Sequence, residues 1–198
     1  MKPISLVKEA HFLVKQRLQQ GATAIDATVG NGFDTLFLAQ QVGLTGKVFG
    51  FDIQQSALDR AWAKLEEAHL TDCVTLSLAD HALMADKIPA CYHGQISAVM
   101  FNLGYLPGSD KTIITSAQST LPALNSAVQL LASEGMITIV AYPGHSGGDI
   151  ETDQVDHWCH QLNRKQYTVL KIPISANNPA TPILFAVINS TMNQSTSM

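Results

Sequence analysis

Residues 24–35, with the sequence AIDATVGNGFDT, place two glycines, an asparagine and several oxygen-bearing side chains directly behind an apolar run. If that run is the first strand of an open α/β sheet, the loop after it is a usual ligand crevice. Gly30 and Gly32 let the backbone approach a ligand closely, and the amides that start the next helix are free donors. Asp52 ends a second apolar run about 20 residues later, where a carboxylate can accept hydrogen bonds from both ribose hydroxyls. The spacing predicts a site for an adenosine-containing ligand.

The charges around this loop favour a cation over a pyrophosphate. Thr35 stands where the Gly-x-Gly-x-x-Gly fingerprint of dinucleotide-binding proteins has its third glycine. Asp26 and Asp34 would repel a pyrophosphate, whereas they suit the amino group and sulfonium of S-adenosylmethionine. Asp80 and His81 follow a third apolar run and would flank the adenine. The alternative is a glycine-rich turn with a structural role only.

The elements that must position these residues alternate along the chain. Apolar periodicity predicts a leading helix over about residues 4–20, after which strands and helices follow one another. Continuous apolar strands in such an alternation indicate an α/β fold with a mostly parallel sheet and helices on both faces. The runs YTVLKIPI and ILFAVIN near the end have no helix between them and predict an antiparallel strand added at one edge. We expect a single domain over residues 1–190 and a flexible polar tail over 191–198.

Three local features of the helices are predicted from residue type. Ser56 is expected to cap the helix that follows Asp52. Trp62 is expected on the buried face of that helix because of its spacing from the leucines around it. Pro122 is expected to kink a later helix or to mark a new first turn.

The charge balance excludes a global basic field that would recruit nucleic acid. The 198-residue chain carries 12 basic and 16 acidic residues, a net charge of −4. The first 17 residues are an exception, since Lys2, Lys8, Lys15 and Arg17 face only Glu9 there. This is either a local basic patch or the solvated face of a helix.

Cysteines, histidines and hydropathy favour a cytoplasmic location and no metal. Cys73, Cys91 and Cys159 are odd in number and form no Cys-x-x-Cys pair, which suits a reducing compartment. The sequence HWCH at 157–160 lacks a second pair of ligands for zinc. No apolar run approaches the length of about 20 residues that a membrane span needs.

Four motifs, DATVGNGFDT, FDIQ, FNLGYLPGSDK and YPGHSGG, occur in this order between residues 26 and 148. Together they resemble class I S-adenosylmethionine-dependent methyltransferases and, more narrowly, the small bacterial family long labelled putative rRNA methylase. The resemblance implies a Rossmann-like fold with a seven-stranded sheet, and S-adenosylmethionine as the cofactor. It also implies methylation of the aminomethyl group on the wobble uridine of tRNA, giving 5-methylaminomethyl-2-thiouridine, with the anticodon region of tRNA as the partner.

The resemblance assigns six residues to the cofactor by position: Asn31, Phe33, Asp52, Gln54, Asp80 and His81. The complete set that we predict to bind the cofactor adds eight residues from the same loops and strand ends: Asp26, Thr28, Gly30, Gly32, Asp34, Thr35, Ile53 and Asn102.

Residues 102–105, NLGY, keep the Asn-x-x-Tyr spacing of the Asn-Pro-Pro-Tyr loop that methyltransferases of exocyclic base amines place after strand four. There the Asn oxygen and the next backbone carbonyl accept hydrogen bonds from an NH2 group and aim its lone pair at the methyl group. An alkylamine with a pKa near 10.4 arrives protonated, so a base must take its proton. We predict Asn102, Tyr105, Asp110 and His145 as catalytic residues.

Their roles are expected to differ. Asp110 or His145 would take the proton, although Asp110 could instead cap the next helix and His145 could be a surface residue. Tyr105 would stack on the uracil, face the cation, or anchor the loop by packing.

The leading prediction is therefore a tRNA N-methyltransferase. Methylation of a small amine or of rRNA is the alternative within the same enzyme class. A nucleotide-dependent oxidoreductase and a non-catalytic RNA-binding protein are the alternatives from other classes. The sequence leaves the oligomeric state open, including a homodimer.

Overall fold

A computed structural model describes residues 5–104, 114–144, 147–175 and 181–191 of the chain. The strands are β1 Thr23–Asp26, β2 Lys47–Asp52, β3 Val74–Leu78, β4 Ile96–Asn102, β5 Leu131–Ala141, β6 Tyr167–Pro173 and β7 Ile183–Asn189. The α-helices are α1 Leu6–Lys15, α2 Phe33–Val42, α3 Gln55–Glu67, α4 Met84–Lys87, α5 Ala117–Leu130 and α6 Gly148–Gln161. Short 3-10 turns occupy Thr71–Cys73, His81–Leu83 and Ala90–Tyr92.

The seven strands form one sheet in the order β3-β2-β1-β4-β5-β7-β6. The chain builds outward from β1 through β2 to β3 and then returns to pair β4 with the other side of β1. The strand order therefore reverses between β1 and β4, which is where such sheets open a ligand crevice. The predicted Rossmann-like, mostly parallel sheet is confirmed.

The antiparallel strand is β7, which pairs with both β5 and β6. The sequence predicted an antiparallel strand added at the edge, but β6 forms the edge and β7 lies one strand inward. The last two strands make a hairpin-like pair, and its second member is inserted beside β5. That insertion leaves β6 parallel to β5, although the two strands do not pair with each other.

The core lies on both faces of the sheet, as predicted for a parallel sheet covered by helices. Successive residues of β4 show the alternation: Met100 packs with Leu6 and Leu38 from α1 and α2, whereas Phe101 packs with Leu124 of α5 on the opposite face. All are buried. This double cover leaves the carboxyl ends of the strands as the open side of the sheet.

The bounds of α1 and the N-cap of α3 differ from the predictions. α1 is shorter than the expected 4–20, because Ser5 is its N-cap and the helix ends at Lys15. α3 begins after Gln54, so Ser56 is a residue of the first turn and its prediction as the cap was wrong.

Trp62 differs from expectation, and one of the two alternatives for Pro122 is excluded. The side chain of Trp62 is 40% exposed and donates to Glu66 Oε1 at 2.9 Å, so it belongs to the outer face of α3 and not to the buried one. Pro122 lies inside α5, which has already begun at Ala117, so it does not mark a first turn. The expected tail lies, except for Thr191, outside the described residues.

Candidate active site

A cavity of about 1040 Å³ opens at the carboxyl ends of the first five strands. Residues that follow β1, β2 and β3 line one part of it, which we call the β1–β3 half. Residues that follow β4 and β5 line the other part, the β4–β5 half. The cavity brings together eleven of the predicted site residues: Thr28, Gly30, Asn31, Phe33, Asp34, Asp52, Ile53, Gln54, Asp80, His81 and Asn102.

Asp52 holds the β1–β3 half together. Its Oδ2 accepts a hydrogen bond from Gly30 N and its Oδ1 accepts one from Gln54 N, both at 2.9 Å. Each carboxylate oxygen can accept a second bond. Asp52 borders the cavity, so those remaining positions suit the hydroxyls of a ribose.

The two glycines of the loop have different roles. Gly30 adopts φ 52° and lines the cavity, which allows the close backbone approach expected from the sequence. Gly32 adopts φ 77° as the N-cap of α2 and does not line the cavity. A Cβ on Gly32 would lie 2.5 Å from Ala61 Cα, so the close approach here is between the loop and α3.

Asp26 and Thr35 lie beneath the loop and do not line the cavity. Both are fully buried; Asp26 Oδ2 accepts a hydrogen bond from Thr35 Oγ1 at 2.5 Å, and its Oδ1 accepts one from Thr28 N at 3.1 Å. Burial, followed by the charge of Asp34, raises the pKa of Asp26 to about 7. The structure gives Asp26, Thr35 and Gly32 supporting contacts, and their predicted contact with a cofactor stays a prediction.

Asp34 borders the cavity but faces a partner that the sequence did not suggest. His11 Nε2 of α1 lies 2.6 Å from Asp34 Oδ1, and the His11 ring stacks on Phe37 at 3.9 Å between centroids. Both carboxylates that were argued to repel a pyrophosphate are thus engaged within the protein. The repulsion that these two carboxylates would exert on the pyrophosphate of a dinucleotide is therefore weaker than the sequence suggested.

Apolar side chains form the rim of the β1–β3 half. Phe33 is 63% exposed and Ile53 is 56% exposed, and both line the cavity. Lys64 Nζ lies 5.0 Å from the centroid of the Phe33 ring. Asn31 is engaged below this rim, since its Oδ1 accepts a hydrogen bond from Arg60 at 3.0 Å. These apolar surfaces are suited to the face of a nucleobase.

Asp80 and His81 close the far end of this half. Asp80 Oδ1 accepts a hydrogen bond from Ala82 N at 2.8 Å and caps the short turn that follows. His81 Nδ1 lies 3.1 Å from the Ala27 carbonyl oxygen, to which it must donate, so Nε2 is the acceptor nitrogen. Burial lowers the pKa of His81, which keeps the ring neutral. Its Nε2 is buried without a hydrogen-bond partner in the described ranges.

Asn102 ends β4 at the junction of the two halves. Its backbone N–H donates to Thr28 Oγ1 at 2.8 Å, which ties the β4 loop to the loop after β1. The next residue, Leu103, donates its N–H to the Val140 carbonyl of β5 at 2.8 Å. Asn102 and Leu103 both line the cavity, so the two residues whose acceptors are predicted to orient an amine belong to its wall.

A network that sequence reasoning missed fixes the segment after Asn102. Gly104 N donates to Thr115 Oγ1 at 2.8 Å, and Thr115 N donates to the Gly104 carbonyl at 2.9 Å. Thr115 Oγ1 in turn donates to Glu151 Oε2 at 2.8 Å, and Thr120 Oγ1 donates to Glu151 Oε1 at 2.6 Å. Glu151 is 3% exposed and lies in the first turn of α6. It therefore links three elements at the base of the β4–β5 half.

Three of the four predicted catalytic residues, Tyr105, Asp110 and His145, lie outside the described residues. Other residues line the cavity without having been predicted, among them Val7 of α1 and Tyr142 after β5. Tyr142 is the first residue of the motif YPGHSGG, residues 142–148, but only His145 of that motif had suggested chemistry. No group of three or more metal-binding side chains is present in the described ranges. None of the helices described is long and apolar enough to cross a membrane.

Comparison with known proteins places these observations in context. Residues 48–188 match the family model described as "Putative rRNA methylase". The chain is 37% identical over 183 residues to the chloroplastic tRNA (mnm(5)s(2)U34)-methyltransferase of Arabidopsis thaliana, covering 88% of this chain. It spans 66% of the length of that plant relative.

Two solved structures are similar over nearly the whole chain. The "putative rRNA-methylase" of Clostridium thermocellum is 38% identical with a TM-score of 0.89, covering 96% of this chain and 100% of that one. A methyltransferase from Streptococcus mutans, solved in complex with SAH, is 32% identical with a TM-score of 0.81, covering 96% of this chain and 98% of that one.

Proposed function

We propose, from the premise that this chain belongs to the "Putative rRNA methylase" family, that it is an S-adenosylmethionine-dependent N-methyltransferase that modifies tRNA. The family predicted from the four motifs is confirmed by the match over residues 48–188. The proposed acceptor is the 5-aminomethyl group of the wobble uridine or 2-thiouridine. The alternative of an oxidoreductase has no support from the relatives, which are methyltransferases by name.

S-adenosylmethionine is the cofactor, as predicted, and the described residues fit it. Asp52 offers acceptor positions for ribose hydroxyls, and Ile53 offers an apolar surface for adenine. Gly30 and Asn31 bring the backbone of the β1 loop to the cavity wall. The solved complex of the Streptococcus mutans relative with SAH supports this choice. When bound, the cofactor supplies an electrophilic methyl group on sulfur.

The single observation that carries the amine chemistry is the position of Asn102. It stands at the junction of the two halves, with its backbone fixed by Thr28 and its neighbour Leu103 fixed by β5. Two acceptors so placed can hold the two N–H bonds of an amine and direct its lone pair. Alignment of this kind removes about 7 to 11 kcal/mol of barrier in intramolecular models.

The acceptor amine must lose a proton before it reacts, because its pKa is near 10.4. Among the predicted catalytic residues, Asp110 and His145 are proposed to receive it, and Tyr105 is proposed to contact the base. His81 is a poorer candidate, since its acceptor nitrogen is buried. A neutral amine formed in this way would be held by the two acceptors at residues 102 and 103.

The identity of the substrate is supported by the plant relative, whose name specifies position 34 of tRNA. The anticodon region is therefore the proposed partner. A single domain over 1–190, a cytoplasmic location and the oligomeric state stay predictions.

Nucleoside mass spectrometry of tRNA from cells that lack this gene tests the proposal. We expect the unmethylated aminomethyl nucleoside to accumulate and its methylated product to disappear. Re-expression of the wild-type protein restores the product, and re-expression of Asn102→Ala does not. An unchanged tRNA nucleoside profile beside an altered pool of small amines would move the assignment to a small-amine methyltransferase.

A further inference from the structure

We propose that the outer flank of α1, formed by Lys8, Phe12 and Lys15, is the surface on which the RNA strand rests beside the cavity. This inference rests on the proposed function and adds to it a docking surface outside the reaction site. The occupant is single-stranded RNA, which is recognised by its phosphate charge and by the faces of its bases.

Helix α1 forms part of the cavity wall. Val7 lines the cavity. His11, one turn later, bonds to Asp34, which also lines it. One side of α1 is therefore fixed toward the cavity by two successive turns.

The order of residues around α1 follows from the geometry of an α-helix. At 3.6 residues per turn, each residue is rotated by about 100° from the last. Going around the helix from the cavity side, the next residues are therefore Lys15, Lys8 and Phe12, in that order. Glu9 lies on the side of the helix that faces away from the cavity. The three residues are exposed, and neither lysine forms an ion pair within the described part of the chain. The basic flank of α1 is the flank that borders the cavity.

Charge is distributed unevenly between the N-terminal segment and the rest of the chain. Residues 1–17 hold four basic residues and one acidic residue, a net charge of +3. The rest of the chain holds eight basic and 15 acidic residues, a net charge of −7. A polyanion is repelled by most of this protein and attracted by residues 1–17, the segment that contains α1. Local attraction of this kind allows an acidic protein to bind RNA in one orientation.

An aromatic side chain lies between the two lysines. Phe12 is 57% exposed and stands one turn from Lys8 and nearly one turn from Lys15. An aromatic face between two cations matches single-stranded nucleic acid, in which bases stack on rings while phosphates lie against lysine. A base that flanks the reacting nucleotide would stack here.

The test compares two double variants that change the net charge equally. Lys8→Gln with Lys15→Gln removes the proposed contacts, and Lys87→Gln with Lys165→Gln removes two exposed lysines elsewhere. The acceptor is tRNA from cells that lack the gene, titrated at several salt concentrations. We expect the first variant to raise KM for tRNA about tenfold and to reduce the salt slope by about 1 for each lysine. Its kcat and its affinity for S-adenosylmethionine should match those of the wild type.

Phe12 is tested in the same assay. We expect Phe12→Ala to raise KM for tRNA severalfold without a change in salt slope, and Phe12→Tyr to restore it. If the two lysine double variants had the same KM for tRNA and the same salt slope, the proposed docking surface would be wrong. The proposed tRNA methylation by the wild type would not be affected by that result. If the wild type binds tRNA without methylating it, the proposed function falls and the binding constants of these variants decide the surface. If it neither binds nor methylates tRNA, both proposals fall.

Discussion

Asp26 and Glu151 are two buried carboxylates that support the two halves of the cavity in similar ways. Asp26 accepts hydrogen bonds from Thr28 and Thr35 and joins the β1 loop to α2. Glu151 accepts them from two threonines, Thr115 and Thr120, and joins α6 to α5 and to the segment after β4. Neither carboxylate lines the cavity.

The two halves differ in how many of their predicted site residues the structure describes. The β1–β3 half is built from contiguous loops whose ligand-facing residues are nearly all described. The β4–β5 half contains Asn102 at its base, whereas its other predicted catalytic residues lie outside the described residues. The comparison teaches that a buried carboxylate inside a motif can be singled out from the sequence, whereas one outside every motif is overlooked.

The largest effect that we expect concerns the support of the β1–β3 half. The pKa of Asp26 is about 7 in the folded protein against 3.8 as its ordinary value. The unfolded chain therefore ionises as pH rises from about 4, while the folded protein keeps its proton until about pH 7, so the folded state loses stability across that window. Asp26→Asn removes this titration. Between pH 5 and pH 8 the wild type should lose on the order of 3 kcal/mol relative to Asp26→Asn.

Urea unfolding of both proteins at the two pH values measures this difference. Asp59→Asn, an exposed carboxylate on α3, is the control and should follow the wild type. Parallel stability curves for the wild type and Asp26→Asn would show that Asp26 is ionised in the folded protein at both pH values.

The next effect concerns the amine acceptors at the base of the β4–β5 half. Asn102→Ala should lower kcat by about 100-fold or more, the usual loss when one preorganised polar partner is removed. Calorimetry should show nearly unchanged affinity for S-adenosylmethionine, and far-UV circular dichroism should show a retained fold. Methylation near the wild-type rate would mean that residues 102–105 form only a structural turn.

The pH dependence of activity distinguishes a lost orientation of the amine from a lost proton acceptor in the β4–β5 half. Raising the pH supplies more neutral amine, so it should rescue a variant that lacks the base, either Asp110→Asn or His145→Ala. It should not rescue Asn102→Ala, which lacks alignment only. Rescue of Asn102→Ala at high pH would reassign that residue to proton transfer.

Substitution of Asp52 tests the proposed cofactor contacts of the β1–β3 half. Asp52→Ala removes the acceptor of two backbone N–H groups and the proposed ribose contacts, so the affinity for S-adenosylmethionine should fall at least about tenfold. Asp59→Ala makes the same charge change away from the cavity and should leave the affinity unchanged. Wild-type affinity in Asp52→Ala, measured by calorimetry, would remove the ribose assignment.

The smallest effect concerns the support of the β4–β5 half. Glu151→Gln leaves one acceptor for two threonine hydroxyls, so we expect kcat to fall by up to about tenfold with little change in cofactor affinity. Thr115→Ser retains the bridge to Gly104 and should keep most activity, whereas Thr115→Val should not. A kcat for Thr115→Val equal to that of the wild type would show that this bridge does not position the acceptors.

Much of the fold could be predicted from sequence because it depends on local signals. Continuous apolar strands alternating with amphipathic helices indicate a covered parallel sheet, and α2 ends at its C-cap Gly43, a residue type that commonly stops helices. Trp62 was misplaced because periodicity locates the buried stripe of a helix only to within a residue or so of its edge. The inward position of β7 depends on long-range pairing, which no local pattern encodes.

The part of the site that could be predicted consists of residues that directly follow strands. Asp52 and Asn102 follow strands directly, and strand ends meet at one edge of a parallel sheet, so their meeting could be anticipated. Glu151 could not, because it reaches the cavity base only through Thr115, 36 positions earlier in the chain. The bond between His11 and Asp34 likewise joins residues 23 positions apart. Such contacts arise from packing and leave no signature in either segment alone.

Transfer of a labelled methyl group to tRNA tests the central claim most directly. The purified chain is incubated with S-adenosylmethionine carrying a trideuterated methyl group and with tRNA from cells that lack the gene, and the nucleosides are analysed by mass spectrometry. The account predicts that the label appears on the aminomethyl nitrogen of the wobble uridine, and that Asn102→Ala transfers far less. Label found only on another nucleoside, or none in tRNA while the protein binds the cofactor, would contradict it.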